Sequence, residues 1–269
     1  EKFIAEKLRN LAALDYPAEK LQIFIYDDGS TDDTLNVANK TLLEPELAEA
    51  HIGIRPLAYN GGKIALINRA MNEIHADIAI LTDASALLSH DALLIVAAHM
   101  RTPDIGVVAG IYALATPGSE GEAAYWQYQT RIKKSESVMG SVVGVHGAMY
   151  AIRTSLFQKI PGDTINDDFI IPMNVVAAGY RCLYEPAVVA VELEKSNTDM
   201  DAHRRRRIAL GNVQQMVRLA HLCHPRYGAV AFNFASGKVL RALMPAFLLT
   251  AFLSSLGLAL LIPECVVIV

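Results

Sequence analysis

The sequence predicts an α/β fold, a mostly parallel sheet flanked by helices and followed by a C-terminal transmembrane helix. Three observations carry that expectation. Short apolar runs rich in β-branched residues alternate with helix-period segments, two of those runs end in carboxylates, and Ala242 to Ile262 holds no charged residue.

In chain order, EKFIAEKLRNLAAL is amphipathic at helical period and, having no Met before it, reads as the middle of a helix in a chain extending upstream. LQIFIYDD, HIGIRPL, DIAILTD and GVVAGIY read as strands, with TDDTLNVANKTL, GGKIALINRAMNEI and HDALLIVAAHM as the helices between them. Pro, Gly and Ser from Thr116 to Gly121 mark a loop, and Glu122 to Met139 then reads as a helix with Tyr125, Trp126 and Tyr128 near its start. Beyond it lie a glycine-punctuated GVHGAMYAIR, an acidic TINDDF, a helix through Gly179 and a strand at CLYEPAVVAVEL.

At ~1.5 Å per residue, Ala242 to Ile262 is long enough to cross a hydrocarbon core of ~30 Å. Arg226, Lys238 and Arg241 precede it, so the positive-inside rule puts the preceding domain in the cytoplasm, on the inner or plasma membrane. A buried core helix is the alternative. We divide the chain into a catalytic domain at 1–237 and a transmembrane segment, cut short, at 238–269.

Of 269 residues 52% are hydrophobic and the net charge is -4, which supplies one sizeable core and argues against a nucleic-acid binder. The one basic cluster is Arg204 to Arg207. Cys182, Cys223 and Cys265 have no CxxC spacing, so neither a disulfide framework nor a thiolate zinc site is expected. No HExxH or GxSxG occurs.

Five groups of residues could carry chemistry. Asp27 and Asp28 close a strand in DDGSTDD, where they could accept hydrogen bonds from a base or ribose or serve only the turn and helix cap. Lys63, after Asn60, Gly61 and Gly62, opens a helix and could meet phosphate, or be an ordinary solvated lysine. Asp83 in LTDAS could ligate a hard divalent cation bridging diphosphate oxygens. Asp167 and Asp168 in INDDF are either dipole partners of a helix or the source of a general base. Arg204 to Arg207 suit anionic lipid heads as well as a diphosphate.

In this order, DDGSTDD, GGK with ALIN, TDAS, GVHGAMYAIR and INDDF resemble the processive-type family 2 glycosyltransferases, the group of cellulose, hyaluronan and poly-N-acetylglucosamine synthases. The resemblance runs from the start of the chain to the apolar segment. It implies a GT-A type, Rossmann-like fold, a nucleotide-diphosphate sugar donor such as a UDP-sugar, Mg2+ or Mn2+, and inverting transfer to a glycan or lipid-linked acceptor in cell-surface or extracellular polysaccharide synthesis. By the same resemblance Asp27, Asp28, Lys63, Asp83, Arg204 and Arg207 would bind the donor, and Asp83 with Ser85 the metal. Asp168 would be the general base with Asp167 beside it, and His146 and Gly147 would line the acceptor side. The resemblance also implies a further first strand upstream of Glu1, while the apolar segment and the charge balance make membrane lipid, and not nucleic acid, the expected partner.

Two departures stand out: Ser85 where the metal motif has its second Asp, and Ile208 after Arg204 to Arg207 where processive synthases carry Trp. They put processivity in question and leave a non-catalytic nucleotide-sugar-binding scaffold as the alternative function. A nucleotidyltransferase would want a Gly-rich, Lys- and Arg-bearing signature near the beginning, which the sequence lacks.

Overall fold

The structure, a computed structural model, describes residues 1–194 and 198–261, and the side chains of all of these except 198–205 and 260–261. The expected alternation is there. Helix α1 (Ile4–Ala12) leads into β1 (Ile23–Asp27), α2 (Thr34–Thr41), β2 (Ile52–Pro56), α3 (Lys63–Glu73) and β3 (Ile78–Thr82). Then follow β4 (Ala86–Leu88), α4 (Ala92–His99), β5 (Ile105–Leu114), α5 (Glu120–Val138), β6 (Met149–Arg153), α6 (Asp167–Ala177), β7 (Arg181–Glu192), α7 (Thr198–Arg218), α8 (Ala229–Phe234) and α9 (Leu240–Leu261).

The α/β class holds, but the sheet is not mostly parallel. β1 and β2 pair in parallel as a separate ribbon, while a five-stranded sheet runs β3-β6-β5-β7-β4. In it only β5 and β7 are parallel; β3 with β6, β5 with β6, and β4 with β7 are antiparallel. Apolar periodicity identifies a strand but carries no information on its direction, so nothing in MYAIR distinguishes a parallel strand from a returning one. Three-residue β4 is too short to show a period at all.

Two apolar layers cover the sheet. On one face Ile64, Ile67, Phe169, Met173 and Val176 of α3 and α6 pack on Val107, Tyr150 and Ile152. On the other, Leu93 and Val96 of α4 meet Val108, Met149, Val188 and Ala190. At Gly110 the β5–β7 register shifts, and a Cβ there would lie 2.5 Å from the Val188 carbonyl oxygen, which explains the glycine.

Ala229–Ala259 is a helix long and apolar enough to cross a membrane, and its apolar stretch is not buried against the rest of the protein. Leu243, Met244, Phe247, Leu248 and Phe252 are all exposed, which disfavours the core-helix reading. The helix passes through one π-turn at Ala235–Val239.

Candidate active site

Strand β1 delivers Asp27 and Asp28 to a tight turn. Asp27 is buried, and Ser30 donates to it through both its backbone N–H (3.2 Å) and its hydroxyl. Asp28 accepts from the N–H groups of Gly61 and Gly62, each at 2.8 Å. The acidic turn is thereby tied to the glycine turn that opens α3. Gly29 (φ 70°) is obligatory, because a Cβ would meet the Tyr59 backbone carbon at 2.8 Å.

That coupling sets the first residue of α3. The Lys63 ammonium lies 3.1 Å from Asp83 Oδ1 and 3.5 Å from Asp167 Oδ2. Asp83 follows β3, its N–H donating to the Ala148 carbonyl at 3.2 Å, and Asp167 and Asp168 open α6, where the helix dipole favours negative charge. The segment before them is held by α7: Gln214 accepts from the Ile165 N–H at 3.0 Å, and Arg218 reaches Asp163 Oδ2 at 2.7 Å. Gly211 lets the helix approach, since a Cβ would lie 2.4 Å from Asn166 Nδ2.

Burial, then Asp167 and Asp83, push the Asp168 carboxyl up to about 6, against the pull of Lys63 and Lys133. Burial also raises Asp167, countered chiefly by Lys63. Burial works to lower Lys63, but Asp167, Asp83 and Asp168 outweigh it and raise the ammonium. Below them sits Tyr150, 1% exposed, whose hydroxyl has no hydrogen-bond partner among the described residues. Three carboxylates around one ammonium leave a cluster of net negative charge, with one carboxyl raised to where it can take a proton near neutral pH.

Across from α6 the GVHG turn forms the opposing wall. The Val145 N–H donates to the Asp168 carbonyl at 3.2 Å, and a Cβ on Gly147 would sit 3.3 Å from Asp168 Oδ2. Gly144 (φ 76°) packs so closely that a Cβ would fall 2.3 Å from the Phe169 ring. His146 lies among Tyr112, Trp126 and Tyr184, and burial followed by Lys133 and Lys238 holds it well below 6.5, so it is neutral at pH 7.

Residues 1–211 match the family described as "Glycosyltransferase like family 2". The chain belongs to that family. A β-monoglucosyldiacylglycerol synthase of Nostoc sp. is 26% identical over 80% of this chain and 47% of its own length. A poly-β-1,6-N-acetyl-D-glucosamine synthase of Staphylococcus aureus is 26% identical over 68% of this chain and 45% of its own. The chain thus spans about half the length of the curated relatives it matches. The mannosyltransferase PcManGT of Pyrobaculum calidifontis, solved with GDP-Man and Mn2+, is similar in fold at a TM-score of 0.71 and 24% identity, covering 97% of this chain and 78% of that one. The fold is GT-A-like.

Of the residues singled out in this family 2 domain, Lys63, Asp83, Asp167, Asp168 and Gly147 converge, with Asp27 and Asp28 joined to them through the glycine turn. Ser85 lies on the turn between β3 and β4, its carbonyl accepting from the Leu193 N–H at 2.9 Å. Arg207 is exposed on α7, and no described contact joins it to the carboxylates; the Arg204 side chain lies outside the described residues. Among the described residues no three His, Cys, Asp or Glu side chains form a metal cage, since Asp83 and Asp167 both face the Lys63 ammonium.

The sequence reading missed Lys7. It is 1% exposed, and its ammonium donates to Thr82 Oγ1 (2.8 Å) and to the Ala86 carbonyl, bridging the two ends of the turn that carries Asp83. Its signal was a lysine on the apolar face of α1, in line with Ile4, Leu8 and Leu11. Gln214 and Tyr150 gave none, because only tertiary packing brings them to the carboxylates.

Proposed function

We propose that the chain is the catalytic core of an inverting glycosyltransferase that moves a sugar from a nucleotide-diphosphate sugar, such as a UDP-sugar, to a hydroxyl of a glycan or lipid-linked acceptor. The observation that carries this reading is Asp168, a recessed carboxyl held at about 6 beside the Lys63–Asp83–Asp167 cluster. A base tuned near neutrality suits removal of a proton from an alcohol.

In the step itself the acceptor O–H gives its proton to Asp168 while its oxygen attacks the anomeric carbon. The bond from that carbon to the diphosphate oxygen breaks on the opposite face, which inverts the configuration. Lys63 neutralises charge developing on the leaving diphosphate, and Asp27 and Asp28 hold the turn that receives the nucleoside. The half-exposed Asp83 carboxylate and the nearby Ser85 hydroxyl are hard oxygen donors on a net negative floor, a chemistry that fits Mg2+ or Mn2+. Bound there, such a cation would supply further charge neutralisation for the diphosphate. Gly147 and His146 border the acceptor side, the neutral imidazole offering a hydrogen bond without competing for the proton.

We further read the apolar stretch that follows Arg241 in the Ala229–Ala259 helix as crossing the membrane, with residues 1–237 as the catalytic domain on the cytoplasmic side, consistent with Lys238 and Arg241 just before that stretch.

The test is release of nucleoside diphosphate from a panel of nucleotide-sugars, with and without Mn2+, followed by chelation. We expect metal-dependent turnover that EDTA abolishes. Donor binding without turnover for every donor and acceptor supplied would point to the scaffold reading.

A further inference from the structure

Helix α5 buries two side chains, and both are polar: Lys133 and Ser137, each 6% exposed. A helix docked for stability alone would bury apolar residues at those positions, since a buried ammonium carries a desolvation cost that methylenes do not. What these side chains meet is backbone. The Lys133 ammonium donates to the Gly144 carbonyl at 2.7 Å, its one described hydrogen bond, and the Ser137 hydroxyl accepts from the Tyr184 N–H at 3.0 Å. Between them Glu136 accepts from the Val143 N–H at 3.0 Å.

These bonds fall on a segment without a ladder of its own, since residues 141–148 form neither helix nor strand. The Val142 N–H goes to the Cys182 carbonyl of β7 at 2.9 Å, and the Val145 N–H to the Asp168 carbonyl of α6 at 3.2 Å. Val143 and Gly144 are buried between them, and without α5 the Val143 N–H and the Gly144 carbonyl would have no described partner. The segment so held leads directly to Gly147, whose Cβ position lies 3.3 Å from Asp168 Oδ2.

Lys133 also stands in the field of the base. Burial lowers its pKa, opposed by Glu136, then Cys182 and Asp168, and none of the described ion pairs includes it. Asp168 faces Asp167 on its own helix, Lys63 of α3, Asp83 after β3 and Lys133 of α5. Tyr150 of β6 and Lys238 of the π-turn face it as well. A neutral amide would satisfy the Gly144 carbonyl. An ammonium there does so and also opposes the crowding of negative charge at Asp168.

We propose that Lys133 and Glu136 form a buried clamp that holds the GVHG turn against α6, making Lys133 a positioning residue for the base. The role in transfer rests on the reading of Asp168 as that base, whereas the clamp can be followed by hydrogen exchange without turnover.

The test uses the full chain in neutral detergent. In Lys133→Met, neutral and of similar length, amide exchange over residues 141–147 should speed up ~10-fold or more, while that of β1 and β2 stays within ~2-fold. Glu136→Ala should accelerate the same segment and decides the matter if Lys133→Met does not fold. Unchanged exchange in a folded variant would overturn the clamp. With a donor that the wild-type protein turns over, kcat/KM of Lys133→Met should fall ~10-fold or more, and its acid limb should move up from about 6. Lys133→Arg, which keeps the donor and the charge, should hold the limb in place. A mere loss of folded enzyme lowers the rate without moving the limb, so an unmoved limb in Lys133→Met, or one displaced equally in both variants, would overturn the positioning role. Absence of turnover with every donor would instead remove the transferase reading and leave the clamp to the exchange data.

Discussion

Replacing Asp168 with Asn separates catalysis from stability, because the same buried carboxylate should serve one and harm the other. Its carboxyl is held at about 6 rather than 3.8, burial being the main cause. A group whose pKa is raised on folding stabilises the protein in its protonated form, so the penalty is absent below the unfolded value and complete above the folded one. At ~1.4 kcal/mol per pH unit, the ionised carboxylate costs the folded state ~3 kcal/mol at pH 7.5. Asp168→Asn keeps the size of the side chain and removes the charge. Thermal melts at pH 7.5 should therefore rise by on the order of 5–10 °C. At pH 3.5 the gain should vanish. Transfer should fall by ~10²–10⁴ while donor affinity stays within ~3-fold, and wild-type kcat/KM should drop with falling pH below about 6. Near-normal transfer in Asp168→Asn would remove it as the base, and an equal gain in melting temperature at both pH values would refute the charge-burial account.

Three further substitutions probe its surroundings. Lys63→Met takes the ammonium from Asp83 and Asp167; the acid limb of kcat/KM should move above about 6 and the donor KM should rise ~10-fold or more, and an unmoved limb would show that Lys63 does not set the base. Gly144→Ala puts a Cβ 2.3 Å from the Phe169 ring at φ 76°; strain and overpacking together should cost ~2–4 kcal/mol in denaturant melts, and a loss under ~0.5 kcal/mol would be inconsistent with that packing. Lys7→Met leaves the Ala86 carbonyl without its donor and frees the Asp83 turn; stability should fall ~1–3 kcal/mol and the Mn2+ concentration for half-maximal turnover should rise several-fold, whereas unchanged metal dependence would make Lys7 purely structural.

Local chemistry made the motif residues legible. Carboxylates at the ends of apolar strands, and a lysine after two glycines, are visible because strand ends and helix starts have their own composition. The long apolar helix was legible for the same reason, as was α6 behind INDDF. What the sequence did not disclose depends on distance in three dimensions. Gln214 and Gly211 look like ordinary positions of a basic helix until α7 docks against Asn166. Asp28 reads as a nucleoside ligand, yet both its oxygens already accept backbone N–H groups from the glycine turn, so in the proposed donor site it acts through the shape of that turn. Arg207, chosen for its charge, ends up exposed on α7.

The feature least visible in the sequence, the direction of β6, assembles the site. Because β6 runs antiparallel to β3, its first residue, Met149, pairs with the last residue of β3, Thr82. The turn that precedes β6 therefore arrives at the same end of the sheet as Asp83, whose N–H bonds to Ala148, and lays Gly147 against Asp168. A parallel β6 would put Arg153 there instead and carry the GVHG turn to the far end of the sheet, a strand length of ~17 Å away. Asp83, just after β3, and Asp168, on α6, would then lack the GVHG turn beside them. Antiparallel return at this strand is thus a requirement of the proposed chemistry, and alternation of apolar residues alone could not have shown it.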